Sequence, residues 1–138
     1  MTPEILIGAM LALRPALAVP TARRFAVNIL ETTSDENDAA ALIVTAYRES
    51  RFSLTCVLGI GGKGPYGLGV GYERYACKST KIQTVMSLQA LYDKGWSSDE
   101  RRGFRGYLGA RSDEWPEIGI RMRLWTLTVE RIRCGCSI

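Results

Sequence analysis

At residues 47–52 the sequence reads Tyr47-Arg48-Glu49-Ser50-Arg51-Phe52, and this segment closes an apolar helical run. A glycine-rich stretch follows shortly after it, Gly64-Pro65-Tyr66-Gly67-Leu68-Gly69. A carboxylate that stands where an apolar helix opens into a glycine-rich loop is a candidate general acid. The face of the helix that Glu49 occupies therefore decides which chemistry this chain can perform.

The helical periodicity predicts a helix over residues 36–51, and a helical wheel places Glu49 at the edge of its apolar face. Arg48 and Arg51 fall on roughly the opposite side, so both neighbouring positive charges point away from the carboxylate. A carboxyl group held against apolar surface without a salt-bridge partner resists ionisation, and it can then both give and take a proton. On this interpretation Glu49→Gln leaves the melting temperature unchanged or raises it. The alternative is a boundary residue whose carboxylate reaches water or binds a loop amide.

Outward from this segment, helical patterns dominate, and they predict a single α+β domain, mainly helical, over residues 1–138. Pro3 opens the first, largely buried helix, and Thr21 is positioned to cap the second. Thr33 and Glu36 have the spacing of a capping box before the third helix. The predicted helices after the first three cover residues 79–94, 99–108 and 114–133.

The region between residues 52 and 77 cannot form a stable helix, because glycines recur in it from Gly59 to Gly71. Apolar residues are interspersed among these glycines, which favours short extended pieces over a linker. The candidates for these pieces are Val57, Ile60, Leu68 and Val70. The pattern therefore predicts a small glycine-rich sheet or loop after the third helix.

The composition narrows the chemistry. The chain has 138 residues, a formal net charge of +4 and no histidine. The lack of histidine excludes histidine-based catalytic triads and histidine metal sites. Proton transfer near neutral pH must then use a carboxyl, thiol, amine or phenol group. A mildly basic surface suits anionic partners, either nucleic acid or the acidic polymers of a bacterial envelope.

Apolar segments are too short for a membrane span of roughly 20 residues, and Arg14 and Pro15 interrupt the best of them. The N-terminal segment ends in Ala-Leu-Ala-Val-Pro, like a signal peptide, but it lacks a basic n-region and has Arg14 within its apolar part. We interpret it as a folded first helix, and we expect any export to use another route.

The cysteines leave two interpretations open. Cys56 and Cys77 bracket the glycine-rich loop, where a disulfide would staple it in an oxidising compartment. Two reduced cysteines packed as small apolar groups fit the same spacing. Cys134 and Cys136 form a C-x-C pair near the C-terminus, which is a weak zinc signal and more typical of a frayed tail.

Three short motifs resemble the soluble lytic transglycosylase and goose-type lysozyme family. The segment Glu49-Ser50-Arg51-Phe52 is similar to the family's catalytic Glu-Ser-x-Phe at a helix end, and residues 64–68 are similar to its Gly-x-x-Gly-Leu loop. Tyr107, in Gly106-Tyr107-Leu108-Gly109, is similar to the tyrosine of the family's Tyr-Asn-Ala-Gly segment. The resemblance covers residues 40–109, and it implies a lysozyme-like fold.

The resemblance also implies a reaction. In that family a single glutamate protonates the glycosidic oxygen between N-acetylmuramic acid and N-acetylglucosamine, and then deprotonates the 6-hydroxyl to give an anhydro product. Glu49 would be this acid and base, Ser50 would assist at the bound sugar, and Tyr107 would orient the carboxyl group. No cofactor and no metal are expected.

Other expected substrate contacts lie in and beside the glycine-rich loop. Gly67 and Leu68 match the family's loop, and Tyr66 and Tyr72 flank them and could pack against sugar rings. Tyr75 and Trp96 are further aromatic candidates for the same cleft. All of these aromatic residues could equally belong to the core or its rim.

The chain also departs from the family pattern. Gly69 and Val70 stand where the family has Met-Gln, whose glutamine reaches the substrate, and Leu108 stands where it has asparagine. Glu73 is the only nearby candidate for a second carboxylate, and we interpret it as a solvated loop charge. A hydrolase normally uses two carboxylates, so transglycosylation with one acid is the simpler chemistry.

Two alternative functions remain. A lysozyme-like domain could have lost turnover and kept a structural or wall-binding role, as the departures at Val70 and Leu108 suggest. A nucleic-acid-binding module is less favoured; it would use a predicted basic helix containing Arg101, Arg102, Arg105 and Arg111 around Phe104 and Tyr107.

For the preferred function, the expected partner is the glycan strand of peptidoglycan, at the cell wall or in the periplasm. The route there would be a virion or export without a cleavable signal.

Overall fold

The computed structural model of the chain describes residues 1–55, 64–69, 71–107 and 115–135. Within these ranges the chain forms five α-helices and no β-strand, so the fold class is mainly helical. The helices are α1 (Pro3–Leu13), α2 (Val19–Thr32), α3 (Glu36–Ser50), α4 (Thr80–Asp93) and α5 (Trp115–Cys134). A single 3₁₀ turn, Glu73–Tyr75, lies between the glycine-rich loop and α4.

The prediction of a mainly helical domain is confirmed, whereas no sheet is present in the described part of the glycine-rich region. Residues 64–67 form a turn, in which Gly64 and Gly67 have φ angles of +77° and +63° that favour glycine. Leu68 makes only an isolated bridge. Three of the predicted extended residues, Val57, Ile60 and Val70, lie outside the described residues.

Helix α3 is the centre of the molecule. Its residues from Ala39 to Ala46 are all at most 2% exposed, and the helix contacts α1, α2, α4 and α5. A helix that is apolar on every side is stable only when it is buried, and the small alanine side chains let its neighbours approach closely. Glu49 therefore lies at the C-terminal end of a helix that is firmly packed in the core.

The two ends of α3 are fixed by different means. Asp35 caps the N-terminus, because its carboxylate accepts hydrogen bonds from the N–H groups of Asn37 at 2.7 Å and Asp38 at 3.1 Å. The predicted capping box is wrong, since the Thr33 hydroxyl instead donates to the Asp38 carboxylate at 2.9 Å. At the C-terminus, Arg51 adopts a left-handed conformation with φ +53°, which ends the helix one turn beyond Tyr47.

Phe52, the next residue, is also in the left-handed conformation, with a φ angle of +61°. A left-handed conformation is unfavourable for a residue with a Cβ atom, so surrounding contacts must hold it in place. Phe52 is fully buried, and its ring lies 5.8 Å from both the Phe25 and Tyr47 rings. The packing of Phe52 therefore determines how the chain leaves the helix just after Glu49.

Substitution of the α3 cap tests the importance of this central helix. Asp35→Ala removes the acceptor for two backbone N–H groups, so we expect it to lower the free energy of unfolding by about 1 kcal/mol. Chemical denaturation monitored by circular dichroism would measure the change. Ser34→Ala alters the exposed preceding residue and should have a much smaller effect. An equal loss in both variants would show that Asp35 is not the cap.

The remaining helix predictions have mixed outcomes. Helices α1, α4 and α5 are confirmed to within one or two residues, with Ser79 capping α4. Helix α2 begins at Val19, so Thr21 lies inside it and the predicted cap there is wrong.

The predicted basic helix over residues 99–108 is also wrong, because residues 100–106 form turns. Gly103 has a φ angle of +46°, and a Cβ atom at this position would lie 2.6 Å from the Trp125 ring. The chain therefore turns closely over α5 at Gly103, and a regular helix cannot follow that path.

The aromatic residues of this segment belong to the core. Phe104 and Tyr107 are buried, and their rings meet edge to face at 5.5 Å. Trp96, one of the candidates for a sugar cleft, is also buried, 6.3 Å from the Trp125 ring. The aromatic side chains that the nucleic-acid interpretation requires at the surface are therefore not there.

Cys77 and Cys134, the cysteines within the described ranges, are both in disulfides. The reduced interpretation of Cys77 is thus wrong, and α5 extends to Cys134 rather than fraying before it. The other cysteines of the predicted pairs, Cys56 and Cys136, lie outside the described residues. None of the helices described is long and apolar enough to cross a membrane.

Candidate functional site

Glu49 lies in the last turn of α3, and its side chain is 33% exposed. Its Oε1 atom accepts a hydrogen bond of 2.6 Å from Nη2 of Arg121, which lies on α5. The prediction of a dry carboxyl group without a salt-bridge partner is therefore wrong. Arg48 binds Glu117 instead, and the partner of Glu49 is an arginine 72 residues further along the chain.

Arg121 could not be found from the local sequence around Glu49. Its only signal is the i, i+4 spacing from Glu117 on α5, which predicts a pair within that helix and nothing about α3. The partnership arises because α3 and α5 pack side by side. The side chain of Arg121 is only 4% exposed, so the ion pair is buried on the arginine side and partly open on the glutamate side.

A second ion pair holds the other edge of Arg121. Nε of Arg121 donates to Oε1 of Glu117 at 3.1 Å, and Arg48 binds the same carboxylate through Nε at 2.8 Å and Nη2 at 2.6 Å. These two-point hydrogen bonds from Arg48 are the main reason why the pKa of Glu117 lies below its ordinary value, and they raise the pKa of Arg48. The four side chains form an alternating row, Arg48–Glu117–Arg121–Glu49, hereafter the charged row.

The lowered pKa of Glu117 predicts a pH dependence of stability. Its contribution is complete above the ordinary value of about 4.5 and is lost as the pH falls through the lower pKa of the folded state. Arg48→Met should therefore destabilise the protein at neutral pH and flatten the fall of the melting temperature below pH about 4.5. Thermal unfolding across this range would measure both effects.

Lys81→Met is the matched control for Arg48→Met, since it removes an exposed ion pair of 3.3 Å to Glu31. It should keep the wild-type dependence of the melting temperature on pH. If Arg48→Met kept that dependence as well, the Arg48–Glu117 contact would not stabilise the folded state.

Gly67 lies directly against the Glu49 carboxylate. A Cβ atom at position 67 would stand 2.4 Å from Oε2 of Glu49 and 2.6 Å from its Cδ atom. Only glycine fits here, both because of this contact and because φ is +63°. The glycine-rich loop and the end of α3, which the sequence placed in the same motif, therefore do meet at one point.

Tyr107 reaches Glu49 through the arginine. The Cζ atom of Arg121 lies 5.3 Å from the centre of the Tyr107 ring, at cation–π distance. The expected role of Tyr107, to orient the Glu49 carboxyl group, stays a prediction; its ring contacts the arginine that binds Glu49.

Ser50 connects the end of α3 to the loop. Its hydroxyl lies 2.7 Å from the carbonyl oxygen of Pro65, to which it donates, and it accepts a hydrogen bond from the N–H of Ser53 at 3.1 Å. These contacts fix residues 64–67 beside Glu49. The predicted role of Ser50 at a bound sugar stays a prediction.

The predicted aromatic contacts separate into buried and surface residues. Tyr66 is 2% exposed, its hydroxyl accepts a hydrogen bond of 3.1 Å from Thr84, and burial raises the pKa of its phenol. Its ring therefore cannot stack on a sugar, which corrects that expectation. Leu68 is also buried, whereas Tyr72 is partly exposed and donates a hydrogen bond to Asp93. The exposed Glu73 stays a solvated charge.

A narrow cleft runs behind Gly67 and is lined in part by Tyr66, Leu68 and Tyr107. Its free space is about that of one water molecule, so it cannot hold a sugar ring. A wider groove of about 270 Å³ lies elsewhere, beside Asn37, Glu100 and Arg133 near the N-terminal end of α3. Because this groove is at the opposite end of α3 from Glu49, we do not assign it to the same site.

The residues that the structure describes include no cluster of three or more histidine, cysteine, aspartate or glutamate side chains that could hold a metal ion. Val70 and Leu108, the departures from the resemblance, lie outside those residues.

Comparisons of the chain with protein-family models, with curated proteins and with solved structures find no match. What the chain does must therefore be inferred from its own residues and from their geometry.

Proposed function

We propose that this chain is a lysozyme-like domain that cleaves the β-1,4 bond between N-acetylmuramic acid and N-acetylglucosamine in peptidoglycan, with Glu49 as the single acid and base. One observation supports this proposal above the others. The three motifs of the resemblance converge, since Gly67 lies against the Glu49 carboxylate and Tyr107 lies on the arginine that binds it.

The reaction would use the Oε2 atom of Glu49. Oε1 is occupied by Arg121, whereas Oε2 is the oxygen beside Gly67 and the side chain is partly exposed. The protonated carboxyl group gives its proton to the glycosidic oxygen as the bond from that oxygen to C1 of the muramic acid breaks. The carboxylate then takes the proton of the 6-hydroxyl as O6 bonds to C1, so no water enters and Glu49 is regenerated.

Two further features support a role outside the cytoplasm. The net charge of +4 favours association with anionic wall polymers. Cys77 and Cys134 are in disulfides, which persist in oxidising environments such as the periplasm or the exterior of the cell. The proposed site of action is accordingly the cell wall, with glycan strands as the partner and no cofactor.

A second candidate function is an inactive, wall-binding domain of the same fold. It is favoured by the ion pair between Arg121 and Glu49, because a guanidinium already binds one oxygen of the carboxyl group that would have to act as the acid. The replacement of the family's asparagine by Leu108 agrees with a loss of turnover.

Digestion of purified peptidoglycan separates the candidates. Soluble fragments with anhydro ends, identified by mass spectrometry, would support transglycosylation, and fragments with reducing ends would support hydrolysis by the same site. Sedimentation of the protein with the wall and no release of fragments would favour the inactive domain. A protein that neither binds the wall nor releases fragments from it would overturn both candidate functions. Retention by DNA with a steep dependence on salt would instead favour the nucleic-acid alternative.

A further inference from the structure

Arg121 is more buried, and makes more contacts, than an arginine in a surface ion pair. Its side chain is 4% exposed, two of its nitrogen atoms bind the carboxylates of Glu49 and Glu117, and its guanidinium lies over the Tyr107 ring. Glu117 is itself held at two points by Arg48. Glu117 and the Tyr107 ring therefore hold the guanidinium on two sides, independently of Glu49.

This arrangement is costly for stability. The Nη1 atom of Arg121 is buried and has no hydrogen-bond partner among the described residues. A buried donor without an acceptor loses its hydration without compensation, and an apolar residue often stabilises such a position at least as well as a charged one. A function that needs the charge at this position would account for an arginine here.

We propose that Arg121 is a positioning residue for Glu49. It binds Oε1 and so holds the carboxylate in one orientation, with Oε2 toward Gly67 as the oxygen that transfers the proton. Glu117 and Arg48 fix Arg121 itself, and the whole charged row acts through Glu49. This inference rests on the proposed function.

The test compares the cleavage kinetics of Arg121→Met and Arg121→Lys on soluble, uncrosslinked peptidoglycan strands. A misplaced catalytic group can lower the rate about 10²-fold, so we expect kcat of Arg121→Met to fall by about that factor while KM changes less than about twofold. Lysine keeps the charge but lacks the planar fork, so Arg121→Lys should recover about a tenth of the wild-type kcat. The control Arg133→Met, which removes surface ion pairs to Glu36 and Glu100, should keep wild-type kinetics.

Several results would overturn the inference. They are an unchanged kcat in Arg121→Met, an equal loss in the lysine and methionine variants, or a loss that matches the unfolded fraction measured by circular dichroism. If either Arg121 variant fails to fold, Glu117→Gln replaces it, since it weakens one anchor of Arg121 without touching Glu49. We expect it to lower kcat with KM unchanged, and wild-type kcat in this variant would overturn the inference as well.

A measurement without cleavage keeps the inference separate from the proposed function. In protein labelled at the glutamate carboxyl carbons, the Glu49 resonance is identified by its absence from Glu49→Gln. We expect that resonance to shift in Arg121→Met and to stay in place in Arg133→Met. An unchanged resonance in Arg121→Met would overturn the inference. A wild-type protein that releases no wall fragments but shows the expected shift would overturn the proposed function alone.

Discussion

Glu49→Gln is expected to lower the rate of peptidoglycan cleavage at least about 10³-fold, since it removes the only group proposed to give and take the proton. Glutamine keeps the shape of the side chain and can still accept a hydrogen bond from Arg121. Substrate binding should therefore be preserved. Release of soluble wall fragments, followed over time by turbidity and confirmed by mass spectrometry, would measure the loss.

The same variant should also be less stable, which reverses the expectation from the sequence alone. A dry and unpaired acid would favour replacement by glutamine, whereas the structure pairs Glu49 with a guanidinium that is 4% exposed. A neutral glutamine leaves the Arg121 charge poorly compensated, which destabilises the folded state. Because Glu49 is partly exposed, water offsets part of this effect, and we expect the free energy of unfolding to fall by about 1–2 kcal/mol. Chemical denaturation would show whether the sign is as expected.

Glu73→Gln is the matched control for Glu49→Gln. Glu73 is an exposed carboxylate just after the glycine-rich loop, and no contribution to cleavage is expected from it. Wild-type clearing by Glu49→Gln would refute the role of Glu49 as the acid. A loss of activity in Glu73→Gln would instead indicate a mechanism with two carboxylates.

Gly67→Ala should have the second largest effect, about a 10²-fold loss of activity. Its methyl group would occupy the space 2.4 Å from Oε2 of Glu49, so the carboxylate has to move away from its position on Arg121. The positive φ angle adds strain of about 1 kcal/mol for any residue with a Cβ atom. Kinetic assays and denaturation of the same preparation would measure both changes.

Gly71→Ala separates the contact with Glu49 from the backbone strain. Gly71 has a φ angle of +86°, yet a Cβ atom there would meet no atom within 4 Å. Both alanine variants should therefore lose stability through backbone strain, Gly67→Ala should lose more because its methyl group also disturbs the Glu49–Arg121 ion pair, and only Gly67→Ala should lose activity. Equal activity in the two variants would show that Gly67 does not help to place the carboxylate.

The fold could be predicted where local periodicity determines the structure. The apolar run before Glu49 predicted the central helix, and Pro3 and Ser79 marked the starts of two others. The prediction failed over residues 99–108, where the close approach of Gly103 to Trp125 overrides helix propensity. Such a contact joins residues far apart in the chain, and no local pattern contains it.

For the candidate site, the sequence predicted Glu49, Gly67 and Tyr107, and the structure brings these residues together. It did not predict Arg121, because a wheel of α3 shows only the charges of that helix and the partner lies on α5. It also assigned Tyr66 to a sugar-binding surface, although the ring is buried beside Thr84. An aromatic residue in a loop carries no local signal of the side to which it turns.

The tight packing of α3 limits how this protein can change. Residues 39–46 are buried; half of them are alanines, which cannot be trimmed further, and all of them are too enclosed to be enlarged. Variation around Glu49, whether by evolution or in the laboratory, is therefore expected on α5 and in the glycine-rich loop rather than in α3. The helix that bears Glu49 has little freedom to diverge.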